Sequence, residues 1–298
     1  MKQDVILLSK SCRDCQLLKR PAKKYGHVPV KDAEATPWHT VCVDLVGNYK
    51  VKLKNGKELH FHALSIIDPA TNYLELHSIP DKKTWTISCK FDSQWLCRYP
   101  RPLECIFDNG TDFNTKEFKE ILRSYGIEPV PTTVKNPRAN AILERVHAVI
   151  NNHLRFLRTE DPKNILNDHD PWENILMATA FALNSTVHST SQLTPGQMVF
   201  QRDLILHTTH VANWEYIRLR KQQKIDYNNE RENKNRIPHI YKVGDLAYLS
   251  KDKLLAKNDI DREGPYEIMD VNNTNGTAAI RHGTIVQTVN IRRLIPHF

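Results

Sequence analysis

The chain has 298 residues, 40% hydrophobic and 26% charged, which excludes disordered and collagen-like classes and leaves room for two or three modules. Lysine and arginine outnumber aspartate and glutamate by 42 to 34, a formal charge of +8 that suits a polyanionic partner and equally suits solvated lysine faces. No run approaches the roughly 18 apolar residues that span a bilayer, the start is too short in apolar residues for a secretory signal, and six cysteines are too sparse for a disulfide framework. The expectation is a chain of a reducing compartment with no membrane partner.

In chain order, residues 1–35 carry Cys12-x-x-Cys15 and then a basic run, Lys19, Arg20, Lys23, Lys24 and Lys31, and read as the remnant of a small module with a linker. From Trp38, HTVCVDLVG, then ELHFHALSIID after the Asn55-Gly56 turn, then YLELHSI predict three adjacent antiparallel strands. KTWTISCKFDSQWLCRY, with Trp85, Ile87, Phe91, Trp95 and Leu96, predicts a helix packed on that sheet. LECIFDNG is a strand, TKEFKEILRSYG a helix ended by Gly126, IEPVPTT a strand and NAILERVHAVINNHLRFLR a long helix. A helix over PWENILMATAFALNSTVHS follows, with LTPGQMVFQR as a closing loop. NWEYIRLRKQQKIDYNNERENKNR reads as a linker helix or arm, and the alternating tail from Tyr241 as a small antiparallel barrel. The class is α/β or α+β, with modules at 1–35, 36–202, 203–238 and 239–298.

Three acids stand out. Asp44 lies inside the apolar run Val41 to Val46, where a carboxylate is costly unless a cation or hydrogen bonds compensate; it is a rim residue, the partner of a basic side chain, or a ligand. Asp108 precedes Asn109-Gly110 at a strand exit, which is either turn chemistry or a side chain presented to a crevice at the strand ends. Glu144 falls off the apolar stripe of Ile142, Val146, Val149, Ile150 and Leu157, and shares a polar face with Asn140, His147, Asn151, Arg155 and Arg158. That face is either an ordinary solvated one or a surface for phosphate and sugar.

Taken together, a strand Asp, a strand-exit Asp-Asn-Gly, and Glu144 after 35 intervening residues resemble the signature of retroviral and gypsy-type LTR-retrotransposon integrases. The resemblance includes Phe107 to Phe113 and the block Asn136 to Arg145, and extends to both ends of the chain. It implies an RNase H-like catalytic core, a mixed five-stranded sheet with helices, preceded by a partial zinc-finger segment and followed by a small all-β barrel. It further implies that Asp44, Asp108 and Glu144 hold two Mg²⁺ or Mn²⁺ ions, since oxygen ligands suit hard cations. Lys135, Asn136, Arg138 and Asn140 would form a DNA-contacting loop, with Arg145, Asn151 and Arg155 as further contacts along the helix. One departure is that Ala148 and Asn151 stand where some retroviral integrases place lysines.

At the amino-terminal end, Cys12 and Cys15 resemble the second half of the integrase zinc finger, but no His precedes them, and His27 and His39 follow in the wrong order. The expectation is a truncated finger, an incomplete site that takes Zn²⁺ only if the missing His ligands come from upstream. At the other end, Tyr241 to Tyr248 followed by Gly264-Pro265-Tyr266 resembles the carboxy-terminal integrase barrel; Arg281, Arg292 and Arg293 are candidate phosphate contacts or plain surface charge. The implied function is DNA integration by a metal-dependent polynucleotidyl transferase. Its implied partners are double-stranded DNA, both element ends and target, and further copies of the chain in dimers or tetramers. Its implied workplace is the nucleus, after synthesis as part of a polyprotein. The rival readings are a domesticated or decayed integrase that binds DNA or chromatin without catalysis, and another RNase H-like nuclease or transposase.

Overall fold

The computed structural model describes residues 12–18, 23–30, 32–52, 58–132, 146–152, 171–251, 260–273 and 276–297. In chain order these form α1 (Arg13–Leu18), β1 (Lys24–Tyr25), β2 (Thr40–Lys52), β3 (Glu58–Ile67), β4 (Leu74–Ile79), α2 (Thr84–Phe91), β5 (Glu104–Phe107), α3 (Lys116–Ser124) and β6 (Glu128–Pro131). Then come a helix over 146–152, termed α4, and α5 (Pro171–Ser185), α6 (Pro195–Phe200), α7 (Trp214–Asn233) and β7 (Arg236–Ile237). The last strands are β8 (Leu246–Ser250), β9 (Arg262–Asn272), β10 (Thr277–His282), β11 (Ile285–Asn290) and β12 (Leu294–Pro296). Two compact units result, one running from Ala33 to Lys221 and the other combining the described residues up to Asp32 with those from Gln222 onward. Among the described residues no helix is long and apolar enough to cross a membrane.

The first unit is built on a sheet of order β4-β3-β2-β5-β6. Strands β2, β3 and β4 pair antiparallel as the sequence predicts, while β5 and β6 run parallel to β2. Both faces are covered, which is why these strands read as near-continuous apolar runs. On one face Val41, Val43, Leu64 and Ile66 meet Phe91, Trp95, Phe118 and Leu122 from α2, the π turn after it, and α3. On the other, Cys42, Val46, Ala63 and Ile67 meet Val146 and Ile150 of α4 and Trp172, Leu176 and Ala180 of α5. A bulge between Val46 and Tyr49 shifts the β2–β3 register, and Gly47 makes it possible. Its φ is +94° and any Cβ there would stand 2.7 Å from the Phe61 carbonyl oxygen.

Two expectations fail here. Trp85 does not pack on the sheet but is 74% exposed. The buried pair on α2 is Ile87 and Phe91, spaced i, i+4, and Trp85 sits on the opposite side of so short a helix. LTPGQMVFQR is no loop: α6 occupies it, closed by a capping box in which Thr194 Oγ1 accepts from the Gln197 amide and Gln197 Oε1 accepts from the Thr194 amide, each at 3.0 Å. The Thr-x-x-Gln spacing was the helix signal, and Pro195 at the first helical position costs no hydrogen bond.

The two edges of this sheet are both closed, by different means. On β4, Asn184 of α5 acts as a surrogate strand residue: its Oδ1 accepts from the Leu74 amide and its Nδ2 donates to the Leu74 carbonyl, both at 2.9 Å. Glu173 Oε2 accepts from the Ser78 amide at 2.8 Å. On β6, the amides of Glu128 and Thr132 donate inward to Leu103 and Phe107 carbonyls, so positions 129 and 131 face outward, and both are proline. Asn184 is only 5% exposed, so Asn184→Ala leaves a buried amide and carbonyl unpaired. The expected cost is about 2–3 kcal/mol, read as a lower urea midpoint; an unchanged midpoint would mean that water replaces the side chain.

A second polar tie is made from within α7. Lys221 Nζ donates to the carbonyls of Glu34 and Pro69 at 2.9 Å and of Ala70 at 2.6 Å. Beside it, fully buried Asp68 accepts from Thr71 Oγ1 at 2.8 Å and from the Ala70 amide at 3.0 Å. Burial pushes the Asp68 carboxyl up and the Lys221 ammonium down to about 8.

The second unit is an antiparallel sheet of order β11-β10-β9-β8-β12 around Tyr241, Ala247, Ile268, Ile280, Val289 and Leu294. The Gly264-Pro265 peptide within β9 is cis. Residues 23–30, read from sequence as linker, are tied into this unit. β1 pairs in parallel with β7, and the Asn233 amide side chain bonds both the amide and the carbonyl of Val28 at 2.7 and 3.1 Å.

Candidate functional site

Asp44 sits on β2 between buried Val43 and half-buried Leu45, and Asp108 is the exposed residue that follows β5. Strands β2 and β5 are parallel with Val43 opposite Phe107, so Asp44 and Asp108 each directly follow this last pair, on strands about 4.8 Å apart. Val43 and Phe107 both point into the α2/α3 layer. Alternation therefore turns Asp44 to the other face, with Cys42 and Val46, and puts Asp108 at the same end of the sheet. One Asp44 oxygen, Oδ1, accepts from the Leu45 amide at 2.8 Å, a hydrogen bond that helps keep a carboxylate in this apolar run.

The helix α4 reaches the sheet at the same place. Ser65 lies directly opposite Asp44 in the β2–β3 ladder, and its hydroxyl donates to the Asp44 carbonyl at 3.0 Å. His147 Nε2 stands 3.2 Å from the same hydroxyl. Having donated its proton to Asp44, Ser65 accepts from His147, which places a proton on Nε2. This corrects the sequence reading of His147 as part of an outward polar face: it is half-buried, flanking the buried stripe of Val146 and Ile150. Burial pushes its pKa from the ordinary 6.5 to about 4.

A pH dependence follows. On acidification the unfolded chain binds a proton at this imidazole near pH 6.5, while the folded chain does so only near 4. Stability conferred by the neutral ring is therefore complete above about 6.5, falls as pH drops toward 4 and levels off below. At roughly 1.4 kcal/mol per unit the span is on the order of 3 kcal/mol. Urea unfolding of wild type and His147→Gln from pH 7 to pH 4 measures it, and a difference that does not change with pH contradicts it.

Glu144, Lys135, Asn136, Arg138, Asn140, Arg145 and Arg155 lie outside the described residues. Asn151 is exposed on α4. Among the described residues no three His, Cys, Asp or Glu side chains gather closely enough to hold a metal ion. Asp44 and Asp108 do supply two oxygen donors of the kind a hard divalent cation takes. Cys12 immediately precedes α1 and Cys15 lies in its first turn, where the Cys15 amide donates to Cys12 Sγ at 3.3 Å and lowers the Cys12 pKa. In the second unit Arg292 pairs with Glu232 at 3.1 Å and Arg293 donates to the Ser250 carbonyl at 3.0 Å, so both have internal partners. Arg281 is more exposed and pairs with Glu267 at 3.1 Å. Sequence reasoning missed Ser65; the signal was a lone hydroxyl in the apolar run His62 to Ile67, opposite another polar interruption in β2.

No family model matches the chain. The Pro-Pol polyprotein of simian foamy virus type 3 (strain LK3) is 21% identical over 225 residues, 76% of this chain and 18% of that polyprotein. The Transposon Tf2-3 polyprotein of Schizosaccharomyces pombe is 22% identical over 196 residues, 63% of this chain. The chain spans 18% and 13% of the length of these two relatives. Among solved structures, a chain of the simian T-cell lymphotropic virus intasome in complex with PP2A regulatory subunit B56 gamma aligns over 100% of this chain and 91% of its own, with TM-score 0.66 and 16% identity. The protein is integrase-like in fold, an α/β unit on a mixed five-stranded sheet followed by an antiparallel sheet unit.

Proposed function

We propose that the protein is the integrase of a gypsy-type LTR retroelement, a polynucleotidyl transferase that trims the 3′ ends of element DNA and joins them to target DNA. What supports this reading is that Asp44 and Asp108 each directly follow the last paired residues, Val43 and Phe107, of neighbouring parallel strands, with α4 tied to the residue opposite Asp44. Glu144 precedes His147 by three residues in the sequence, and in this reading it completes the carboxylate set. Asp44, Asp108 and Glu144 would hold two Mg²⁺ or Mn²⁺ ions; bound there, the ions would activate the attacking oxygen and stabilise the leaving one at phosphorus. No covalent bond to the protein is needed.

Lys135, Asn136, Arg138, Asn140, Arg145, Asn151 and Arg155 are the proposed DNA contacts. The partners are double-stranded DNA and further copies of this chain, and the workplace is the nucleus. In this reading Cys12 and Cys15 take Zn²⁺ only if the missing His ligands are supplied from upstream. The test incubates the protein and Mn²⁺ with a duplex ending in the element's terminal sequence. Joined products support the reading. Cleavage without joining assigns a nuclease, and binding alone assigns a decayed integrase that retains only its hold on DNA.

A further inference from the structure

Beside Asp44, a polar chain of described residues links α4 to the sheet. It runs from His147 Nε2 to Ser65 Oγ, 3.2 Å, and from Ser65 Oγ to the carbonyl oxygen of Asp44, 3.0 Å. Each link has a fixed direction: the imidazole N–H donates to the hydroxyl oxygen, and the hydroxyl donates to the carbonyl. Ser65 is fully buried and His147 half-buried, so water competes poorly for either bond. The chain ends on the backbone of Asp44 and leaves the carboxylate out. It can hold the place from which the carboxylate projects without altering what the carboxylate binds.

We propose that His147 is a positioning residue, which through Ser65 fixes the backbone of Asp44 against α4 and so sets where the Asp44 carboxylate stands relative to that helix. The inference rests on the metal-holding role assigned to Asp44 above. A hydrophobic residue at 147 would still fill the space beside Val146 and Ile150, so packing alone does not account for an imidazole whose ring nitrogen meets a buried hydroxyl. The requirement is for an N–H donor at the reach of Nε2. Glutamine has one there, and alanine and leucine do not.

The experiment compares wild type with His147→Leu, His147→Gln, Ser65→Ala and the Ser65→Ala/His147→Leu double variant in the Mn²⁺ joining assay, in DNA binding, and in calorimetric titration with Mn²⁺ alone. His147→Leu and Ser65→Ala are each expected to lower the joining rate at saturating DNA by about tenfold or more and to weaken Mn²⁺ binding several-fold, with DNA affinity unchanged. The double variant should be no worse than either single one, because both break the same chain. His147→Gln should recover most of both losses. Losses that multiply in the double variant, a Gln variant no better than Leu, or a loss confined to DNA affinity would each overturn the proposal. A wild type that neither joins DNA nor binds Mn²⁺ refutes the functional reading itself and this inference with it. An active wild type with unaffected variants refutes the inference alone.

Discussion

Replacing Asp108 with asparagine should abolish DNA joining, a fall of about a thousandfold or more, while the unfolding midpoint stays within roughly 0.5 kcal/mol of wild type. The two halves of that expectation come from different observations. Asp108 is exposed at the exit of β5, makes no part of either hydrophobic layer, and asparagine matches it in size, so the fold loses little. Its carboxylate follows directly on the strand that pairs with the one bearing Asp44, and the amide that replaces it carries no charge for a cation. Glu144→Gln is expected to behave in the same way. Either variant joining DNA at the wild-type rate would refute the carboxylate assignment, and gel analysis of joined products decides it.

Lys221→Met is expected to cost about 3–5 kcal/mol of stability, more than any single surface ion pair would. The ammonium is held by three carbonyls, of Glu34, Pro69 and Ala70, beside the buried Asp68. Methionine fills a similar volume but donates nothing, so three carbonyls lose their donor and Asp68 loses its neighbouring positive charge in a place water reaches poorly. Urea denaturation of the two proteins measures the difference. A cost below about 1 kcal/mol would show that solvent enters the site and that the tie is not what fastens α7 to the 68–71 turn.

Much of this was readable beforehand, and for physical reasons. The strands of the first unit are covered on both faces, so β2 and β3 appear in the text as apolar runs, and Asp44 is conspicuous as an interruption. The exit of β5 is marked by Asp108-Asn109-Gly110, and the end of α3 by Gly126, whose φ is +73°. What was illegible depends on which side of a short element faces inward. Trp85 and His147 were each assigned to the wrong side, because eight residues of α2 leave the stripe underdetermined and one step around α4 separates a solvated ring from one that meets Ser65. Ser65 and Lys221 could not have been paired with their partners from the linear text, since those contacts span 82 residues in the first case and more than 150 in the second.

Proline at 129 and 131 on one flank, with Asn184 and Glu173 on the other, has a bearing on how copies of this protein meet. At its β6 and β4 flanks this sheet is a poor template for strand addition by a neighbouring chain, because the β6 flank offers no donors at those positions and the β4 flank is already hydrogen-bonded at Leu74 and Ser78. Copies that meet through these two flanks must therefore do so by side chains meeting side chains, and such a contact can be dismantled by surface substitutions that leave both backbone ladders intact.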